Sequence, residues 1–124
     1  MRRAVVVAVL TICAAGLWPV PAWSHAYLVR SSPAARAVVA RAPERVQLWF
    51  NERLEPAYSR VSVWGPDGQR VDAGDVQVTP AEPTRLSVGV PPLAAGGYTV
   101  KYRVLSVDGH VVEAEFVFTV RGAS

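Results

Sequence analysis

From residue 45 onward the chain alternates apolar and polar residues in short runs, and proline or glycine ends each run. Such a period of two puts successive side chains on opposite faces, so it specifies half-buried strands rather than helices. Val46, Leu48 and Phe50 alternate with Gln47, Trp49 and Asn51, and Val61 and Val63 with Ser62 and Trp64. Gly65-Pro66-Asp67-Gly68 is a turn signal that predicts a further strand around Arg70 to Val78. Leu86, Val88 and Val90 form the next face, then Tyr98, Val100, Tyr102 and Val104, and finally Val112, Ala114, Phe116, Phe118 and Val120. No segment holds a helical period with caps, and residues 33–42 are expected to be extended or irregular. About six or seven short strands predict an all-β domain, either a two-sheet antiparallel sandwich or a small Greek-key barrel.

The first 24 residues follow a different pattern. Met1-Arg2-Arg3 is basic, Ala4 to Ile12 is an apolar run that extends with small residues to Leu17, and Trp18-Pro19-Val20-Pro21 breaks any helix. Ala22 and Ser24 then supply the small residues at −3 and −1 of a signal-peptide cleavage site. Residues 1–24 are predicted to be a signal peptide, and residues 25–124 a mature domain exported to the periplasm or another extracytoplasmic space. The apolar run falls short of the roughly 20 residues a spanning helix needs, so the mature domain is not expected to cross a membrane. Leu10-Thr11-Ile12-Cys13 offers a competing lipoprotein reading, against which Ile12 stands where such a box has a small residue. Arg2-Arg3 lacks the surroundings of a twin-arginine signal and reads as an ordinary basic segment.

Loss of the leader removes Arg2 and Arg3, which lowers the formal net charge from +3 to +1. No basic run interleaved with aromatics remains, so nucleic acid is not an expected partner. Met1 and Cys13, the chain's one methionine and one cysteine, leave as well. The mature domain is then without disulfides, thiolate nucleophiles, zinc–thiolate sites, iron–sulfur clusters or blue copper. A domain of 100 residues can still bury one sufficient core.

The chain has two histidines, and cleavage after Ser24 would make His25 the new N-terminus. A terminal histidine can chelate one metal ion with its α-amine and its ring Nδ1. The other histidine lies in Val107-Asp108-Gly109-His110-Val111, between the last two strands. In extended backbone Asp108 and His110 would share a face and converge. The plainer reading is an Asp-Gly hairpin turn with a solvated histidine. Together with His25, however, Asp108 and His110 complete a set of three nitrogens and one oxygen. That set suits tetragonal copper(II), with nickel and zinc as chemical rivals. Without sulfur donors the site is expected to select the oxidised ion, one per chain. Glu52 is expected either to accept a hydrogen bond from a histidine N–H or the terminal amine, or to be a solvated carboxylate. Tyr27, Trp49 and Trp64 read as core or edge aromatics.

The opening His25-Ala26-Tyr27-Leu28-Val29-Arg30-Ser31-Ser32-Pro33-Ala34, the segment Val46-Gln47-Leu48-Trp49-Phe50-Asn51-Glu52, the run Gly97 to Val104 and Ser106-Val107-Asp108-Gly109-His110 together resemble CopC-type copper resistance proteins. The resemblance covers essentially the whole mature chain. It implies an immunoglobulin-like Greek-key β-sandwich of about seven strands that binds copper in the bacterial periplasm, with copper(II) held by His25, Asp108 and His110. Some relatives have a methionine-rich copper(I) site, for which this mature domain has no methionine, so it resembles the copper(II)-only branch. Val111 and Glu113 stand where relatives commonly have a proline and a glycine. Some relatives are fused to a CopD-type membrane domain; here such a transporter is expected to be a separate protein.

The expected function is copper(II) sequestration or delivery to that transporter, without enzymatic activity. A histidine-brace copper oxidase is one alternative, although Asp108 would fill a coordination position that oxygen activation needs open. A metal-free immunoglobulin-like interaction module is another. Intact mass spectrometry of the exported protein should find a chain that begins at His25. A lipidated chain that begins at Cys13 would leave His25 without a free amine.

Overall fold

Residues 26–122 are described by a computed structural model; the predicted signal peptide and His25 lie outside them. The described residues form strands β1 (Leu28–Ser32), β2 (Val38–Val39), β3 (Arg45–Phe50), β4 (Arg60–Trp64), β5 (Gln77–Val78), β6 (Arg85–Gly89), β7 (Gly96–Leu105) and β8 (Val111–Val120), with a 3-10 turn at Pro56–Tyr58. Two four-stranded sheets result, ordered β1-β3-β6-β5 and β2-β8-β7-β4. Successive strands cross repeatedly between the sheets, as in a Greek-key sandwich. Neighbouring strands run antiparallel except for the two-residue β2, which lies parallel to the end of β8.

The core follows the alternation in the sequence. Val46, Leu48 and Phe50 of β3 meet Val61 and Val63 of β4, Leu86 and Val88 of β6, and Tyr98, Val100, Tyr102 and Val104 of β7, all buried. Each such aliphatic or aromatic side chain removed from water stabilises the fold by about 1.5–3 kcal/mol, before the entropy of ordering is subtracted. Phe50 meets Tyr102 edge to face at 5.5 Å, and Tyr98 stacks on Phe118 at 5.6 Å. The buried Tyr98 hydroxyl donates to the Ala94 carbonyl at 2.6 Å, which offsets its desolvation. Trp49, on the interior strand β3, and Trp64, on the edge strand β4, are half-buried under cations: Arg30 lies 4.0 Å from the Trp49 ring, and Lys101 lies 5.0 Å from that of Trp64. Tyr27 is exposed.

Two segments depart from the alternation. The strand expected around Arg70 to Val78 reduces to a single bridge between Trp64 and Arg70 and the short β5. A side chain replaces the missing ladder: the Asp72 carboxylate, fully buried, accepts the Val63 amide at 2.9 Å and the Gly74 amide at 3.0 Å. Arg70 completes it with two donors, at 2.8 and 3.0 Å. A carboxylate in that position satisfies the edge of β4 as a strand would, and bends the chain away. Along β8 the expected inner face is buried only at Phe118 and Val120; Val112 and Phe116 are half-buried and Ala114 is exposed. Beyond β8, β2 pairs with Thr119 and Val120 and the Arg36 amide donates to the Val117 carbonyl at 2.6 Å, so among the described residues the edge lies open only before Val117.

Burial pushes the Asp72 carboxyl up, but the Arg70 hydrogen bond, the Val63 and Gly74 amides and the Arg70 charge together hold it below its ordinary 3.8. A carboxyl depressed in the fold contributes stability above its unfolded pKa and loses it as pH falls through the folded one. Asp72→Ala should therefore cost about 1–3 kcal/mol at neutral pH, because the buried Val63 amide loses its acceptor. Denaturant titrations should show that difference shrinking as the pH falls below about 3.8.

Candidate metal centre

β7 and β8 pair over ten residues, from Gly96 opposite Val120 to Leu105 opposite Val111. This register delivers Ser106 and His110 to the two ends of one tight connection. Ser106 donates its amide to the His110 carbonyl at 3.0 Å, and the Gly109 amide returns to the Ser106 carbonyl at 2.9 Å. Gly109 has φ of +92°, a conformation that a side chain disfavours, which explains the glycine between Asp108 and His110. The connection is thus a turn, and the extended backbone expected to align Asp108 with His110 is absent.

Asp108 and His110 nevertheless converge, through the turn itself. Asp108 folds back so that Oδ1 accepts the His110 amide at 3.2 Å, and His110 Nδ1 lies 3.1 Å from the same oxygen. The Ser106 hydroxyl, almost fully buried, also donates to this oxygen and lies 3.3 Å from the His110 carbonyl. Asp108 and His110 remain about a third exposed, at 30% and 36% of their side-chain surface. Two donors at right angles, each about 2.0 Å from a first-row metal ion, lie about 2.8 Å apart. The separation seen here is compatible with a shared ion, although Nδ1 itself is buried and the exposed part of His110 is the rest of its side chain.

The start of the described chain is tied to the segment that borders this loop. Ala26 is fully buried, the Tyr27 amide donates to Asn51 Oδ1 at 2.6 Å, and the Asn51 amide returns to the Tyr27 carbonyl at 3.2 Å. Asn51 opens the segment that runs alongside the β7–β8 connection. There the Val107 amide donates to the Arg53 carbonyl at 2.9 Å, Leu54 bridges to Ser106, and the Glu55 amide donates to the Leu105 carbonyl at 2.8 Å. Two loops distant in sequence are therefore closed together by backbone hydrogen bonds.

Among the described residues no three histidine, cysteine, aspartate or glutamate side chains gather into a metal-binding group. Asp108 and His110 come together as expected from the sequence, whereas His25 lies outside the described residues. Glu52 is half-buried, and its carboxylate has no hydrogen bond or ion pair among the described residues. Asn51 and Ser106 were not singled out by the sequence reading. Their signal was available: an asparagine just after a strand and a serine two positions before an aspartate both favour side-chain-to-backbone bonding.

A family model described as the CopC domain matches residues 28–121. The crystal structure of CopC from Methylosinus trichosporium OB3b is similar at 41% identity and a TM-score of 0.75, covering 81% of this chain and 97% of that one. PcoC, a methionine-rich copper resistance protein from Escherichia coli, is similar at 33% identity and a TM-score of 0.65, covering 78% of this chain and 99% of the other. Copper resistance protein C of Escherichia coli is 34% identical over 107 residues, 81% of this chain and 84% of that protein.

Ser106→Ala removes the hydroxyl from Asp108 and should destabilise the domain by about 1 kcal/mol. Hydrogen exchange should accelerate at Gly109 and His110, which close the turn, while the amides of β3 and β6 keep their protection.

Proposed function

The chain belongs to the CopC family, and on that premise we propose that it is an exported copper(II)-binding protein of copper homeostasis and resistance. It holds one ion per chain through His25, Asp108 and His110. The observation that carries this reading is the convergence of Asp108 and His110 on a loop hydrogen-bonded to the segment that holds the first described residues. Ala26, the first described residue, is buried. A chain cut after Ser24 begins at His25, directly before Ala26, with a free amine and an imidazole as metal donors.

Three nitrogens and a carboxylate oxygen favour copper(II), which also stands at the top of the divalent affinity order. No methionine or cysteine follows Cys13, so a mature chain offers copper(I) no thioether or thiol. This is also the respect in which the chain differs from the methionine-rich PcoC. With Asp108 filling a coordination position, the site acts as a carrier rather than an oxygen-activating centre. The protein works in the periplasm or an equivalent extracytoplasmic space, and the ion passes to or from a separate CopD-type membrane transporter. Among the described residues no helix is long and apolar enough to cross a membrane.

Copper(II) has to displace protons from its ligands, an α-amine titrating ordinarily near pH 7.7–8.0 among them. Affinity measured by competition with a chelator should therefore fall as the pH is lowered from about 7.5 to 5.5; equal affinity at both would sink this ligand set. Asp108→Ala and His110→Ala should each weaken binding beyond the roughly 10–100-fold lost when an outer partner of a ligand is removed. An extra alanine placed before His25 should do likewise by converting the amine into an amide. If none of these changes matters, the protein is not a copper carrier of this kind. Oxygen consumption with ascorbate above that of free copper would instead favour the oxidase alternative.

A further inference from the structure

The connection that carries Asp108 and His110 opens directly onto a groove on the outer face of β4 and β7. Ala57, Tyr58, Arg60, Arg103, Leu105 and Val111 line this groove, which has a volume of about 270 Å³. Val111 follows His110 in the chain, so the groove begins one residue from the candidate metal site. Its apolar lining is accessible: Tyr58 is 68% exposed and Val111 51%. An exposed aromatic, a leucine and a valine gathered around one concavity form the kind of apolar patch that marks an interaction site.

The charge in this groove is of one sign. Arg60 and Arg103 stand directly opposite each other in the β4–β7 ladder, an arrangement of like charges that costs stability. Arg60 donates to the Ser59 carbonyl at 3.2 Å, and neither arginine forms an ion pair with a carboxylate among the described residues. Glu113 is the cross-strand neighbour of Arg103, but it lines the adjoining groove beyond the arginines rather than this one. The row across the sheet is therefore Arg60, Arg103, Glu113, with two cations for one anion. An apolar centre flanked by arginine and tyrosine has the composition of a protein-binding hot spot, and guanidinium groups favour carboxylates.

We propose that this groove docks an acidic, apolar segment of the protein that exchanges metal with the Asp108–His110 loop. Carboxylates on that segment pair with Arg60 and Arg103, while its apolar side chains cover Tyr58, Leu105 and Val111. A partner seated there stands beside the loop from which it takes or to which it gives the ion. The mature chain has a formal net charge of only +1, so this local pair of arginines orients the encounter more than overall charge attracts it. The partner's role rests on the copper-carrier reading, whereas occupancy of the groove does not.

The test is an NMR titration of the metal-free exported protein with a synthetic peptide rich in aspartate, glutamate and leucine. A lysine–leucine peptide, inorganic phosphate, and vesicles of anionic phospholipid serve as competing probes. Saturable shifts confined to residues 57–62 and 103–111 are expected with the acidic peptide alone, weakening steeply with added salt. Arg60→Glu with Arg103→Glu should reduce that affinity at least tenfold and leave copper(II) affinity unchanged within about twofold. Equal shifts with phosphate would mark a simple anion site, a response to vesicles alone a membrane surface, and shifts that vary with protein dilution a second copy of the chain. Each of these, or no response to the acidic peptide, overturns the proposal. Loss of copper binding with peptide docking intact would instead count against the carrier reading alone.

Discussion

The register between β7 and β8 is the constraint on which the functional end of this molecule depends. Ten consecutive residue pairs leave no slack, so Ser106 and His110 are the residues that must close the connection. A slip of one residue would turn every side chain of β8 to the opposite face, burying glutamates and exposing Phe118. The core and the site are thereby coupled: Tyr98, Val100 and Tyr102 on one strand and Phe118 and Val120 on the other hold the register that forms the Asp108–His110 pair.

Two aspartates show how one residue type serves opposite ends. Asp72 has no exposed side-chain surface, and two backbone amides and both ends of an Arg70 fork satisfy it, so its charge supports the fold. Asp108 keeps about a third of its side chain in solvent, beside an imidazole and a serine hydroxyl. Both sit in loops next to a glycine or alanine, and nothing in their immediate sequence ranks one above the other as a structural group. Their surroundings do, since burial with four donors leaves a carboxylate nothing more to bind, whereas partial exposure beside a histidine leaves it accessible to an ion.

The fold was largely legible in the sequence because half-buried strands impose a period of two. That reading succeeded for β3, β4 and β7, whose burial alternates along the strand against the opposite sheet, whereas β6 lies between β3 and β5 and is buried at four successive residues, Leu86 to Gly89. It failed where side chains or edges intervene: Asp72 replaced a ladder with its carboxylate, and the open edge of β8 left Ala114 exposed. At the site, the Asp-Gly-His spacing was informative, but for a reason other than strand alternation. The hairpin turn and the convergence of Asp108 with His110 both occur in the same five residues, because the turn is what folds the carboxylate onto the imidazole.

By itself the sequence determined the strand faces, the turn at Asp108-Gly109 and the absence of sulfur ligands after Cys13, since each depends on residue type and near-neighbour spacing. Only the tertiary structure decided that Asn51 clamps Tyr27, that Arg53 and Leu54 close against Val107 and Ser106, and that Arg60 faces Arg103 beside the Asp108–His110 loop. These contacts join residues tens of positions apart. Local pattern carries no record of such pairings, which arise when two sheets bury their apolar faces against each other and bring their loops to a common end.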